Sequence, residues 1–188
     1  MYWLNKELTI PRALRELHGE RARVTDLLLT YGTGLLSAAS VPAFADLSMS
    51  PARWLVLSIL TMDIAGGVTA NFTRGTNAYY ASRPGLRLTY ILLHAVQPGI
   101  LIWLFPEQGG RLALFAGYTL LATLGVNALP EYWYQRLVAG LLTAPGILLL
   151  HWLAVGPSVI TGLLTLYLIK LVLAFAVRWE EPHHFTGP

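Results

Sequence analysis

Six apolar runs, each close to the length needed to cross a bilayer, constrain this chain more than any motif within it. They fall near Val24 to Phe44, Trp54 to Thr73, Leu88 to Phe105, Leu112 to Leu129, Leu137 to Val155 and Val159 to Val177. A helix rises about 1.5 Å per residue, so roughly 20 apolar residues cross a hydrocarbon core. Short connections between such runs make consecutive helices antiparallel neighbours. The expected fold is an all-α integral membrane protein, a compact six-transmembrane-helix bundle at residues 24–177. A cytoplasmic arm at 1–23 precedes it and a cytoplasmic tail at 178–188 follows. Composition agrees: 55 % of residues are apolar and 12 % charged, and the mean hydropathy is +0.54, outside the ordinary soluble range.

Cationic residues set the expected orientation. Lys6, Arg12, Arg15, Arg21 and Arg23 precede the first run; Arg74, Arg83 and Arg87 separate the second from the third; Arg136 and Arg178 follow the fourth and sixth. The opposite side carries only Arg53 and Arg111. Positive charge is retained on the cytoplasmic side, so both termini are expected there. In the arm, Pro11 and the helical spacing of Leu14 and Leu17 predict a short interfacial helix. Acidic residues interrupt its basic stretch, and it does not read as a signal peptide.

The absence of cysteine excludes disulfides and thiolate chemistry. The net charge of +3 follows from arginines facing the cytoplasmic leaflet. No basic helix or aromatic platform stands outside the apolar runs, so nucleic acid is not an expected partner. The expected location is a bacterial or archaeal cell membrane, the expected partner a membrane lipid or amphiphilic small molecule, and oligomerisation is left open.

Asp63 sits in the middle of the second run, in WLVLSILTMDIAGGVTANFT. A carboxylate at that depth is costly unless it faces protein, water or a ligand, which makes it the first pointer to a site. Gly67, Asn71 and Arg74 follow on one broad helical face, and Gly66 and Gly67 leave room beside the carboxylate. The plainer alternative is an Asp63 hydrogen-bonded across a helix interface. His94 lies in HAVQP with Gln97 and Pro98, and its imidazole suits a base, an acid or a metal ligand. Asn71, His94, Asn127, Glu131 and Lys170 fall at compatible depths. They are expected to line one cavity open to the cytoplasm, with Asp63 at its floor.

Lys170 either snorkels to the surface, neutralises Asp63 or Glu131, or attracts an anionic head group. The segment Thr73 to Arg87 reads as an extramembrane loop whose Arg74, Arg83 and Arg87 suit phosphate or carboxylate, with Tyr79 and Tyr80 adding rings and hydroxyls. Pro145 and Gly146 are expected to bend the fifth helix. Glu180, Glu181, His183 and His184 lack a metal-binding spacing, and a solvated tail is expected.

These residues define the functional expectation. Asp63, His94 and Glu131 are the catalytic candidates. Asn71, Arg74, Tyr79, Tyr80, Arg83, Arg87, Gln97, Asn127 and Lys170 are the substrate-binding ones. The reading is a membrane-embedded enzyme acting on a lipid-like or isoprenoid-like amphiphile from the cytoplasmic leaflet, by acid/base or metal-assisted hydrolysis or isomerisation. The cofactor is left open, a metal ion being the candidate, with no metal ligand set assigned. The alternatives are a proton-coupled transporter of a small organic anion or amphiphile, and a non-catalytic membrane assembly subunit.

Overall fold

The computed structural model describes residues 2–45 and 47–179. Glu180, Glu181, His183 and His184 lie outside the described residues. Six helices are long and apolar enough to cross a membrane: Val24–Ala43, Pro51–Phe72, Pro84–Leu104, Pro106–Ala128, Tyr132–Leu153 and Ser158–Phe175. They form the helical bundle of an integral membrane protein. The second to fifth spans begin several residues before the apolar runs do. Their first turns carry Arg53, Arg87, Arg111 and Arg136, and prolines at positions 51, 84 and 106 open three of them. Proline is preorganised for a first turn, where its missing N–H costs nothing.

The second and sixth spans form the centre. Half or more of the most apolar stretch of each is buried, 50 % and 56 %, against 17 % for the first span. Leu57, Leu60 and Ile64 of the second span join Leu164, Leu168 and Leu171 of the sixth in one core cluster. The first span packs against the second by close backbone approach. A Cβ at Gly34 would lie 2.9 Å from the Met62 carbonyl oxygen, and one at Gly66 would lie 3.1 Å from that of Thr30.

Two spans depart from simple helices. The third is broken at His94–Ala95 into Pro84–Leu93 and Val96–Leu104. Pro98 has no N–H to give the His94 carbonyl four residues back; instead the Tyr167 hydroxyl donates to it at 3.1 Å. The sixth runs as an α-helix from Ser158 to Leu168, then winds as a π-helix over Ile169–Phe175. The fifth, by contrast, is continuous from Tyr132 to Leu153 despite Pro145. Three residues before Pro145, the Tyr118 hydroxyl donates to the Leu142 carbonyl.

The ends of the bundle also revise the expectation. Thr73 to Arg87 is mostly helical: a connecting helix covers Arg74–Ala81, and Arg87 belongs to the third span. The arm carries the expected short helical stretch after Pro11, over residues 12–18, but sets it within a hairpin. Strands Glu7–Thr9 and Arg21–Arg23 pair antiparallel, with Leu8 opposite Ala22. They enclose a 3₁₀ turn at Arg12–Leu14 and a single helical turn at Arg15–His18. This small sheet is the one departure from an all-α fold among the described residues. Gly19 (φ +77°) ends the helical turn where it meets Gly75; a Cβ on Gly19 would lie 2.1 Å from the Gly75 carbonyl oxygen. The hydroxyls of Thr76 and Tyr80 donate to the Leu17 and Glu16 carbonyls at 2.8 and 3.0 Å, docking the arm on the connecting helix.

Candidate functional site

Asp63 and Lys170 meet between the second and sixth spans. Lys170 Nζ lies 3.4 Å from Asp63 Oδ2 and 3.5 Å from Oδ1, and also donates to the Asp63 carbonyl at 3.2 Å. Gly67 makes this contact feasible, because a Cβ there would stand 2.3 Å from Lys170 Cε. The lysine side chain is 1 % exposed, whereas that of Asp63 is 52 % exposed. Lys170 therefore does not snorkel; it is sealed inside against the carboxylate. Gln97, from the third span, also donates through Nε2 to Asp63 Oδ2. That amide orientation is required, since a carboxylate only accepts.

The exposed side of Asp63 opens on two clefts. One, of about 410 Å³, lies between the second and third spans; Val56, Ile59, Leu93 and Ile100 are among its apolar walls, and Asp63, His94 and Gln97 are its polar members. The other, of about 220 Å³, lies between the first and second spans, where Thr30, Gly34 and Gly66 leave space. Among the described residues, two buried side-chain polar atoms have no hydrogen-bond partner: Gln97 Oε1 and Thr30 Oγ1. Each belongs to one of these clefts.

His94 is held from behind. Its Nδ1 lies 2.6 Å from the Tyr90 carbonyl, which can only accept, so Nδ1 carries the proton and Nε2 of the neutral ring presents a lone pair. The imidazole lies 4.1 Å from the Tyr90 ring, which stacks on Phe175 at 4.0 Å. The Tyr90 hydroxyl donates to Asn71 Oδ1 at 3.1 Å.

A second polar group lies around the end of the sixth span. A π-turn and a helix end both leave carbonyls without their α-helical donors. Side chains supply them here. Asn71 Nδ2 donates to the Lys170 carbonyl at 3.2 Å. Arg87 donates to the carbonyls of Phe175 and Ala176 and, through Nε, to Asn127 Oδ1. Gln135 accepts from the Arg178 N–H at 2.9 Å, and Asn77 accepts from that of Trp179 at 3.4 Å. The single cavity expected for Asn71, Asn127, Glu131 and Lys170 is thus not formed. Asn71 and Arg87 serve the backbone of the sixth span, because buried carbonyls must find donors, and Asn127 holds Arg87 in place by accepting from its Nε.

The remaining candidates, Tyr80 apart, lie at the surface. Arg74, Tyr79 and Arg83 line a recess of about 450 Å³ shared with Glu7, Glu20 and Arg21 of the arm. Arg83 pairs with Glu20 at 2.8 Å, and its guanidinium sits 4.2 Å from the Tyr79 ring centroid. Tyr80 is buried between the connecting helix and the bundle, and burial raises the proton affinity of its hydroxyl, which stays neutral. Glu131 is exposed just before the fifth span and lines neither Asp63 cleft. Sequence reading missed Tyr90, Tyr167, Asn77 and Gln135. Only the two amides carried a signal, being uncharged polar residues beside spans whose ends needed partners. Among the described residues, no group of three or more His, Asp or Glu side chains gathers to hold a metal ion.

Fold and site together define an integral membrane helical protein with a buried aromatic and polar centre that opens sideways through apolar clefts. The chain matches no protein-family model, and neither curated proteins nor solved structures give a match.

Proposed function

We propose that the chain is a membrane-embedded enzyme that takes a lipid-like or isoprenoid-like amphiphile from the bilayer into the cleft between its second and third spans, and transforms it by acid/base chemistry. The observation that carries this reading is the cleft itself: about 410 Å³, apolar in its walls, with His94, Asp63 and Gln97 as its polar members. That volume falls within the roughly 300–1,000 Å³ of small-molecule sites, where few polar groups orient an apolar ligand. His94 acts as the base through Nε2, its ring held by the Tyr90 carbonyl. Asp63 supplies the negative charge that offsets the imidazolium as the proton arrives. Lys170 and Gln97 position that carboxylate. Proton abstraction opens either an isomerisation, when the proton is returned elsewhere, or a hydrolysis, when the proton comes from water. Arg74, Tyr79 and Arg83 belong to the surface recess shared with Glu7 and Glu20 and take no part in this chemistry.

The test is conversion of membrane lipid. Protein in nanodiscs is incubated with a total membrane lipid extract, and products are followed by mass spectrometry. One amphiphile class is consumed and one product grows with time. His94→Gln keeps the shape of the ring's neighbourhood without its base and slows conversion by about 10²–10⁴-fold, the usual contribution of a positioned acid or base. An amphiphile that binds and crosses proteoliposome membranes with a proton, yet is never altered, refutes the enzyme reading in favour of transport.

A further inference from the structure

We infer that the head group taken at this cleft is a neutral hydroxyl, so that the ligand is a long-chain or isoprenoid alcohol rather than a phosphate, carboxylate or ammonium amphiphile. The inference deepens the amphiphile-cleft reading and rests on it. It follows from which hydrogen-bonding capacities are already filled. Gln97 directs its NH₂ to Asp63, so Oε1 points elsewhere; that oxygen is buried, on a residue 6 % exposed, and has no donor. With its NH₂ engaged and Oε1 closed off even from water, Gln97 offers the cleft no donor, and the acceptors a ligand meets there are those of His94 and Asp63. His94 gives its Nδ1 proton to Tyr90, which leaves Nε2 as an acceptor. Asp63 completes the set with carboxylate oxygens that remain half exposed. The polar members of the cleft therefore ask for hydrogen.

Charge decides among the donors. A phosphate or carboxylate would add negative charge and further acceptors to a set composed of acceptors. Lys170 cannot offset it, because its ammonium is sealed inside and directed at Asp63. An ammonium amphiphile would bring donors, but Lys170 already balances Asp63, and a second cation would be left unpaired among apolar walls. A hydroxyl brings one O–H and no charge. Its chain then covers Val56, Ile59, Leu60, Leu93, Val96 and Ile100, the apolar residues of the cleft.

The full-length chain in phosphatidylcholine nanodiscs is labelled with a photoreactive diazirine analogue of hexadecanol. Labelling of the peptides bearing Ile59 and Leu93 is competed with hexadecanol, palmitate, hexadecyl phosphate and hexadecylamine. Hexadecanol is expected to compete at a concentration about tenfold or more below the other three, the scale of one well-placed hydrogen bond. His94→Phe, which removes the Nε2 acceptor, is expected to erase that preference. The wild-type ranking decides by itself if that variant does not fold. Equal competition by all four, or preference for a charged one, overturns the hydroxyl inference and leaves the amphiphile cleft standing. Labelling that never reaches the Ile59 and Leu93 peptides overturns both.

Discussion

Removing Asp63 and removing Lys170 should have unequal consequences, and the two losses should not add. The asymmetry comes from burial: the Lys170 side chain is 1 % exposed and that of Asp63 52 %. Asp63→Leu leaves an ammonium inside the bundle, and breaking a buried pair in this way costs about 3–5 kcal/mol. Two features place the expectation at the low end, about 3 kcal/mol. Asp63 is only half buried, and Lys170 keeps its 3.2 Å bond to the main-chain carbonyl of residue 63. Lys170→Met leaves the carboxylate with Gln97 as donor and the cleft beside it, and should cost about 1–2 kcal/mol. Replacing both by apolar residues of similar volume removes the need for pairing, so Asp63→Leu/Lys170→Met should lie within about 1 kcal/mol of wild type. The implied coupling is about 3 kcal/mol or more, well beyond the scatter expected of independent sites.

Equilibrium unfolding in mixed micelles, followed by far-ultraviolet circular dichroism, measures all four proteins on one scale. The double variant also separates stability from function, because it should be folded and inactive. A loss below about 1 kcal/mol for Asp63→Leu would refute the claim that Lys170 depends on its carboxylate. A double variant as unstable as the sum of the singles would show that the two groups do not act as a unit.

Four further outcomes follow from other contacts. Arg87→Leu strips donors from the Phe175 and Ala176 carbonyls and from Asn127; at about 1–3 kcal/mol per orphaned acceptor it should cost more than about 3 kcal/mol in the same unfolding assay, with Arg87→Lys restoring only part. Tyr167→Phe removes one of two donors to the His94 carbonyl, the Gln97 N–H remaining at 3.3 Å, and should cost about 0.5–1.5 kcal/mol while lowering turnover, measured as kcat, because the break that presents His94 is less well held. Gly19→Ala meets both a positive φ and the Gly75 carbonyl, so the arm should detach and limited proteolysis within residues 12–23 should accelerate. His18 is buried, with its Nε2 2.8 Å from the Tyr31 hydroxyl, and burial lowers its proton affinity below the usual 6.5. The undocked arm then binds the proton more readily, so docking is at full strength above about pH 6.5 and weakens as pH falls through that value; proteolysis of the arm should quicken from pH ~7.5 to ~5, and His18→Asn should flatten the response.

The spans were legible because apolar length is a local property of the chain, and the six runs fall within a few residues of the six helices. Their starts were read late because Arg53, Arg87, Arg111 and Arg136 look extramembrane while occupying helical first turns. The arm hairpin was not legible. Its strands have three residues each and exist through docking on the connecting helix, a tertiary contact with no period of its own. At the site, i,i+3 spacing brought His94 and Gln97 to one cleft, and comparable depth brought Lys170 to Asp63. Depth failed for Glu131, which lies exposed before the fifth span, and for Asn71 and Asn127, since depth says nothing about which way a side chain faces. What turned the two amides is the π-helical end of the sixth span, and nothing in LYLIKLVLAF marks where an α-helix changes its winding.

The two polar groups differ in how completely their hydrogen bonds are made, and that difference separates scaffold from site better than residue type does. Around the sixth span, amides and guanidinium meet carbonyls and N–H groups that would otherwise be orphaned in an apolar interior. Around Asp63, the same kinds of residue leave Gln97 Oε1 and Thr30 Oγ1 without partners beside open volume. Asn71 joins the two groups: its Nδ2 reaches the Lys170 carbonyl and its Oδ1 accepts from Tyr90, whose ring lies against His94. The winding of the sixth span thus bears on the position of the imidazole through three contacts, and the same turn of helix places Lys170 against Asp63. A chain that needed only to pack six spans could satisfy Asp63 by an amide alone. The π-helix instead delivers a cation to one side of the carboxylate and an aromatic support to the histidine, which is the arrangement expected where a polar centre must stay rigid while one face of it remains open to the membrane.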